Sequence, residues 1–402
     1  MSASPSVVSK PAAHESAGVP VWRATFSALC ASLVGIGLAR FAYTPLIPVL
    51  IQAGWFSPAQ AAYLGAANFA GYLAGALAAR FLARLLPPRA LLRGMMVLAS
   101  LAFFACSSPA WVPWFFVWRF LAGVAGGVLM ILAAPSILPF VPVQRRGVTT
   151  GAIFTGIGLG IAASGTLIPL LLHAGVAGAW LGLGAISALL TALSWGGWPR
   201  AAAPLPPAHG AEGRAGFALV AVILAYGLNA IGLVPHMVFL VDYVARGLDR
   251  GMAAGATVWV AFGIGALVGP AAAGAVADRI GFAAALRLAF LMQGIAIALL
   301  LVSTAPPVLL LSAAIAGAFT PGAAALMLGR VNALTTPGSD AARAGWSWAT
   351  TAWAVGQTAG AYAFSFAFAR TGDYTPLFAA ACALLVLALL VDFAATRGRG
   401  GG

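Results

Sequence analysis

The chain is 402 residues long, 62% hydrophobic by residue type and only 7% charged, with a mean hydropathy of +0.99 and a formal net charge of +13. A soluble domain is nearer a quarter charged and still needs polar surface over its core, so this composition excludes a water-soluble globular protein and points to an integral membrane protein. The positive surplus follows the membrane topology, which argues against a nucleic-acid-binding patch.

Residues 1–20 are polar, with Lys10, His14 and Glu15, and lack the head, short apolar core and cleavage site of a signal peptide. The first span is therefore expected to act as the insertion signal. No Asp, Glu, Lys or Arg occurs in 41–79, 94–118, 120–144, 147–199, 215–241, 251–277, 288–329, 344–369 or 374–391. A spanning helix needs ~20 apolar residues, so the longest run holds two. Barrel strands of ~10 alternating residues do not fit runs this long. The expected spans are 21–51, 58–83, 91–108, 112–140, 148–173, 177–197, 216–243, 253–277, 282–304, 307–333, 344–369 and 375–395. The predicted fold is all-α, with a six-helix bundle over 21–197 and a second over 216–395. A polar linker at 198–215 joins them, and tails occupy 1–20 and 396–402.

Basic residues set the orientation. With cytoplasmic termini, that side holds Lys10, Arg23, Arg80, Arg84, Arg89, Arg93, Arg145, Arg146, Arg200, Arg214, Arg279, Arg287, Arg330, Arg343, Arg397 and Arg399. The opposite side holds only Arg246, Arg250 and Arg370. The expectation is a multi-pass protein of a bacterial inner (cytoplasmic) membrane, monomeric, with both termini cytoplasmic. One Lys against twenty Arg fits a GC-rich genome. Cys30, Cys106 and Cys382 lie in or at the edges of apolar spans and imply no disulfide framework.

The halves resemble each other weakly. GLARFAYTP (37–45) aligns with GLNAIGLVP (227–235), and GALAAR (75–80) with GAVADR (274–279). Such matches argue for two parallel repeats about an axis normal to the membrane. GAVADRIG (274–281) is similar to the loop motif G-x-x-x-D-R-x-G of the major facilitator superfamily, and RFLAG (119–123) to its span-4 motif R-x-x-x-G. RFAYTPLIP, YLGAANFAGYLAGA and the segment around Gln357 resemble the YbfB-type group. The resemblance implies twelve helices around a central cavity lined by spans 1, 4, 7 and 10. It departs from the family pattern at Ala79, which stands for Asp in the first copy of the loop motif, and in span 5, which lacks a G-P pair.

An intramembrane Arg costs ~2.5–3.5 kcal/mol even on the mildest scale and is functional by default. Arg40 and Arg119 are two such cations with no intramembrane carboxylate beside them in sequence, which favours an anionic ligand held by bidentate contacts. The competing reading is structural: each Arg bonds carbonyls freed near Pro45 and Gly123. Polar stripes complete the candidate substrate path: Tyr43 beside Arg40, Asn68 with Tyr72, Tyr226 with Asn229 and His236, and Gln357 with Trp346, Thr350 and Trp353. Helix–helix hydrogen bonding is the alternative for each stripe. Pro45, Pro48, Pro135, Pro235 and Pro321 fall on spans 1, 4, 7 and 10 and are expected to bend them. Asp278 with Arg279 is the expected inner gate, meeting Arg145 or Arg146 and the positive start of span 5.

GIGLG (156–160) lacks the strand and acid of a nucleotide loop, no Walker loop occurs, and His14, His173, His209 and His236 lack metal-ligand spacing. No cofactor, metal or enzymatic activity is expected. The function read from the sequence is a secondary transporter moving a small organic or inorganic anion by alternating access. Proton-coupled efflux of lipophilic compounds is the alternative, with His236 as its central titratable group. A non-transporting receptor would need a signalling domain.

Overall fold

The computed structural model describes residues 19–142, 145–199, 216–335 and 339–397. The expected linker from 200 onward and nearly all of both tails lie outside them. Twelve helices account for the described residues, without a strand. They are α1 (Val21–Gln52), α2 (Pro58–Leu85), α3 (Pro88–Ala105), α4 (Val112–Leu132), α5 (Arg146–Leu171) and α6 (Gly175–Ser194), then α7 (Phe217–Gly247). A continuous hydrogen-bonded stretch, Gly251–Val302, turns back at Gly281, whose φ of 80° suits glycine alone; it forms α8 (251–280) and α9 (282–302). α10 (Pro306–Leu334), α11 (Asp340–Thr371) and α12 (Thr375–Arg397) follow.

Five of the twelve starts are chemically marked. Ser57 caps α2 with a full capping box, Pro stands in the first turn of α2, α3, α4 and α10, and Ser339 caps α11. α4 ends earlier than the sequence predicts. Its regular part stops at Leu132 rather than continuing to 140, because Pro135 offers no N–H to the ladder; turns and a short 3-10 segment, Leu138–Phe140, replace it.

Within each half the same contacts recur. α2 packs on α4 as α8 packs on α10, and α1 on α5 as α7 packs on α11. The first pair is held by close backbone approach. A Cβ at Gly71, Gly75 or Gly123 would overlap the carbonyls of Phe120, Val124 and Asn68. In the second half a Cβ at Gly265, Gly269 or Gly317 would overlap those of Ala314, Ala318 and Phe262. The offset is 194 residues at all three glycines (71 to 265, 75 to 269, 123 to 317) and at all three carbonyls. Small residues let membrane helices approach where the lipid supplies no hydrophobic drive.

This register corrects the second sequence alignment, which used 199. At 194, Asp278 corresponds to Arg84, not to Ala79, so the first half carries a base where the second carries an acid. The α1/α7 alignment fits the structure better: Gly37 lies against Gly160 of α5, and Gly227 against Gly356 of α11.

The halves meet along two seams, α2 with α11 and α5 with α8. Thr358 Oγ1 donates to the Phe69 carbonyl across the first (3.1 Å), and Trp259 Nε1 to Ser164 Oγ across the second (3.0 Å). A third contact joins the broken parts of α1 and α7, where Thr44 Oγ1 donates to the Met237 carbonyl at 2.6 Å.

Candidate functional site

Both helices that reach the centre are irregular there. α1 widens into a π-helical turn at Leu33–Leu38 and a further turn at 39–42 before resuming at Tyr43. α7 is interrupted at Leu233 and Phe239, flanking Pro235. Irregular backbone at membrane depth is tolerated where protein or a water-filled cavity satisfies it. Here the two breaks flank a cavity of about 560 Å³.

The cavity's floor lies at mid-chain of α1 and α7, with Arg40, Phe41, Met237 and Gln357. The Phe41 ring meets Trp259 and Phe262 at centroid distances of 6.2 and 6.5 Å, tying the floor to α8. From there the cavity widens past Tyr72 and Leu77 of α2, Thr150 of α5, Leu328 of α10 and Trp346 of α11. These lie toward the helix ends on the face where α1 begins and α12 ends. On the opposite face the outer parts of α1 and α7 pack together and Phe239 meets Phe368 at 5.2 Å. The cavity is therefore open on the terminal face and shut on the other.

The expectation of lining by spans 1, 4, 7 and 10 is widened. All four contribute, but α2, α5 and α11 contribute heavily as well, and α11 supplies the polar and aromatic wall. α3, α6, α9 and α12 contribute no lining residue among those described.

Arg40 is buried in the floor. Its Nη2 donates to Gln357 Oε1 at 2.5 Å, a contact between the halves. The Arg40 Cζ lies 4.0 Å from the Phe69 ring centroid, 5.2 Å from Tyr72 and 5.3 Å from Phe41, an aromatic setting favourable for a desolvated cation. Gln357 also directs Nε2 to the Met237 sulfur at 3.4 Å. The Arg40 Nε has no hydrogen-bond partner.

Arg119 sits one layer behind. Its Nη1 donates to the Ala39 carbonyl at 2.7 Å, in the turn of α1, and its Cζ lies 4.3 Å from the Tyr43 ring. It does not line the cavity. The same layer holds Tyr43, which donates to the Ala61 carbonyl at 2.9 Å, and Asn68, whose Nδ2 donates to the Arg119 carbonyl at 3.1 Å. Arg40 and Arg119 thus share only a nearly closed crevice between these residues.

In the second half, Tyr226 lines the cavity and packs on Trp353 with the rings tilted, at 4.5 Å and 30°. Asn229 instead donates to Gln293 Oε1 of α9, inside the packed bundle. His236 is enclosed between Ser312 and Phe378 and does not line the cavity. Ser312 spends its proton on the Ala296 carbonyl, so His236 Nε2–H donates to Ser312 Oγ at 2.9 Å. Of the twelve residues of the candidate substrate path, the structure brings Arg40, Tyr72, Tyr226, Trp346, Thr350, Trp353 and Gln357 to the cavity, and leaves Tyr43, Asn68, Arg119, Asn229 and His236 off it.

Sequence reasoning passed over Phe41, Phe69 and Met237 as ordinary apolar residues. The available signal for Phe69 was its place three residues before Tyr72, on the face that meets Arg40. The other intramembrane acids are paired away from the cavity. Asp242 is held by Arg246 (2.5 and 2.7 Å) and by the Tyr374 hydroxyl (2.6 Å), and Asp392 by Arg287 at 2.6 Å. Asp278, Arg279 and Arg145 are exposed at helix ends, and Asp278 makes no ion pair among the described residues. The side chain of Arg146 lies outside the described residues. Among the described residues Asp278 and Arg145 form no ion pair, and the cavity is open on that face.

Two solved structures share this architecture. The crystal structure of a D-xylose–proton symporter aligns with a TM-score of 0.71 at 14% identity, covering 92% of this chain and 97% of that one. The crystal structure of a point mutant of the nucleoside transporter NupG aligns at 0.70 and 12% identity, covering 93% and 100%. At these identities the likeness is one of fold. Among curated proteins, none matches the sequence. The family described as uncharacterised MFS-type transporter YbfB matches residues 32–393. The cavity between two six-helix halves and a family match over nearly the whole chain lead to one assignment: the protein belongs to the YbfB-type family of major facilitator superfamily transporters.

Proposed function

We propose that this transporter carries a small organic anion, with Arg40 as the group that holds its charge. One observation carries the reading: among the described residues, Arg40 is the only charged side chain lining the cavity. A buried cation whose only hydrogen-bonding side-chain partner is the neutral Gln357 is incompletely compensated, and an incoming carboxylate supplies what is missing. Arg119 adds positive potential from behind and holds the turn of α1, without touching the solute.

In this reading the halves 21–197 and 216–395 rock about the cavity. With cytoplasmic termini in an inner membrane, the described state is inward-facing. Asp278 and Arg279 then meet the start of α5 in the outward-facing state. A monomer suffices, since the cavity is built by one chain. The proton-coupled efflux alternative has less support, because its titratable candidate, His236, faces Ser312 rather than the cavity.

The test is thermal stabilisation of purified protein by a panel of organic anions and lipophilic cations. Anions should stabilise the wild type and lose that effect in Arg40→Ala. Stabilisation by cations that survives Arg40→Ala would overturn the reading.

A further inference from the structure

We infer that the solute is a monoanion with a flat, unsaturated body, an aromatic monocarboxylate in the simplest case. The inference rests on the anion reading above and adds two independent features of the cavity wall.

The first is charge. Arg40 offers a single positive charge to the cavity, and no acid opposes it among the lining residues. One carboxylate neutralises it, whereas a second negative charge would be left unpaired in a poorly solvated site. A guanidinium carries five N–H donors, and the Arg40 side chain gives one bond, to Gln357; its Nε is sealed from the cavity, so the ligand-facing donors are on the Nη atoms. Its remaining donors suit the parallel pair of bonds that a planar carboxylate accepts.

The second is the aromatic wall. Trp353 precedes Gln357 by four residues on α11, so it lies one turn (~5.4 Å) from the partner of Arg40. Tyr226 of the same half packs against Trp353 in a tilted contact, and both rings line the cavity, with Tyr72 of the other half also on its wall. A single-ring acid anchored at Arg40 spans that separation and places its ring beside this wall. Aromatic rings gain from such offset contact beyond the area they bury.

The experiment is equilibrium binding to the purified full-length protein, comparing benzoate, cyclohexanecarboxylate and phthalate. Benzoate should bind roughly 2–10-fold tighter than cyclohexanecarboxylate, the size of one aromatic contact. Phthalate should bind more weakly than benzoate. Trp353→Leu should abolish the preference for benzoate over its saturated analogue, and Trp353→Phe should retain it, which separates stacking from a folding defect. Equal, Arg40-dependent binding of both monocarboxylates would overturn this inference and leave the anion reading standing. Absence of benzoate binding also overturns it. Carboxylate binding unaffected by Arg40→Gln would overturn both.

Discussion

Arg40 and Arg119 carry the same guanidinium into neighbouring layers of the molecule, and their partners divide them. Arg119 bonds a backbone carbonyl in the turn of α1 and covers the Tyr43 ring, so it is built into the packing. Arg40 bonds a side chain of the other half and borders the cavity. Arg119→Ala strips the Ala39 carbonyl of its donor, and an unsatisfied buried group costs about 1–3 kcal/mol. Its melting temperature in detergent should therefore fall with no ligand present. Arg40→Ala should leave the unliganded melting temperature closer to wild type while abolishing stabilisation by anions. A reversed pattern in the two melting curves would exchange the roles assigned here. The sequence marks both arginines equally, because the distinction lies in the partner each one meets and those partners are distant in the chain.

Helix pairing depends on a few glycines whose importance is invisible without the partner helix. Gly123 of α4 and Gly317 of α10 each face a carbonyl that a Cβ would overlap, whereas a Cβ at Gly274 would meet nothing. Overpacking of this kind costs typically 1–3 kcal/mol. Gly123→Val and Gly317→Val should each lower thermal stability or yield of folded protein, while Gly274→Ala should be neutral or slightly stabilising. Equal effects at all three positions, measured by size-exclusion yield and melting temperature, would refute the proposed register. Span positions were legible from runs of uncharged residues, and so was the break in α7 at Pro235. The earlier end of α4 was less legible, because an apolar run continues past Leu132 and only the missing N–H of Pro135 interrupts the ladder.

At the scale of the molecule, the cavity opens on one face because the seams between halves are closed only toward the other. Thr44–Met237 lies beyond the floor, while Thr350 stands on the wall of the open side. In the proposed orientation, a cysteine at Thr350 should react with an impermeant maleimide added from the cytoplasmic side of membrane vesicles. A cysteine at Thr44 should stay protected from that side. Labelling of the Thr350 position from the external side alone would contradict the orientation. The buried Cys30 and Cys106 are shielded in this assay, and Cys382 serves as the background to subtract.

The sequence by itself determined that the chain is a twelve-span membrane protein, because apolar length and charge-free runs are local properties that lipid reads directly. It also singled out Arg40, since a charge in such a run is conspicuous. Tertiary structure alone decided that Arg40 reaches the cavity and Arg119 does not, that His236 and Asn229 are sealed inside the second half, and that the two repeats run in a register of 194 across their first helix pair. Each of these depends on which side chain or carbonyl from a distant helix fills the space opposite, and hydropathy is nearly blind to that choice when almost every residue is apolar.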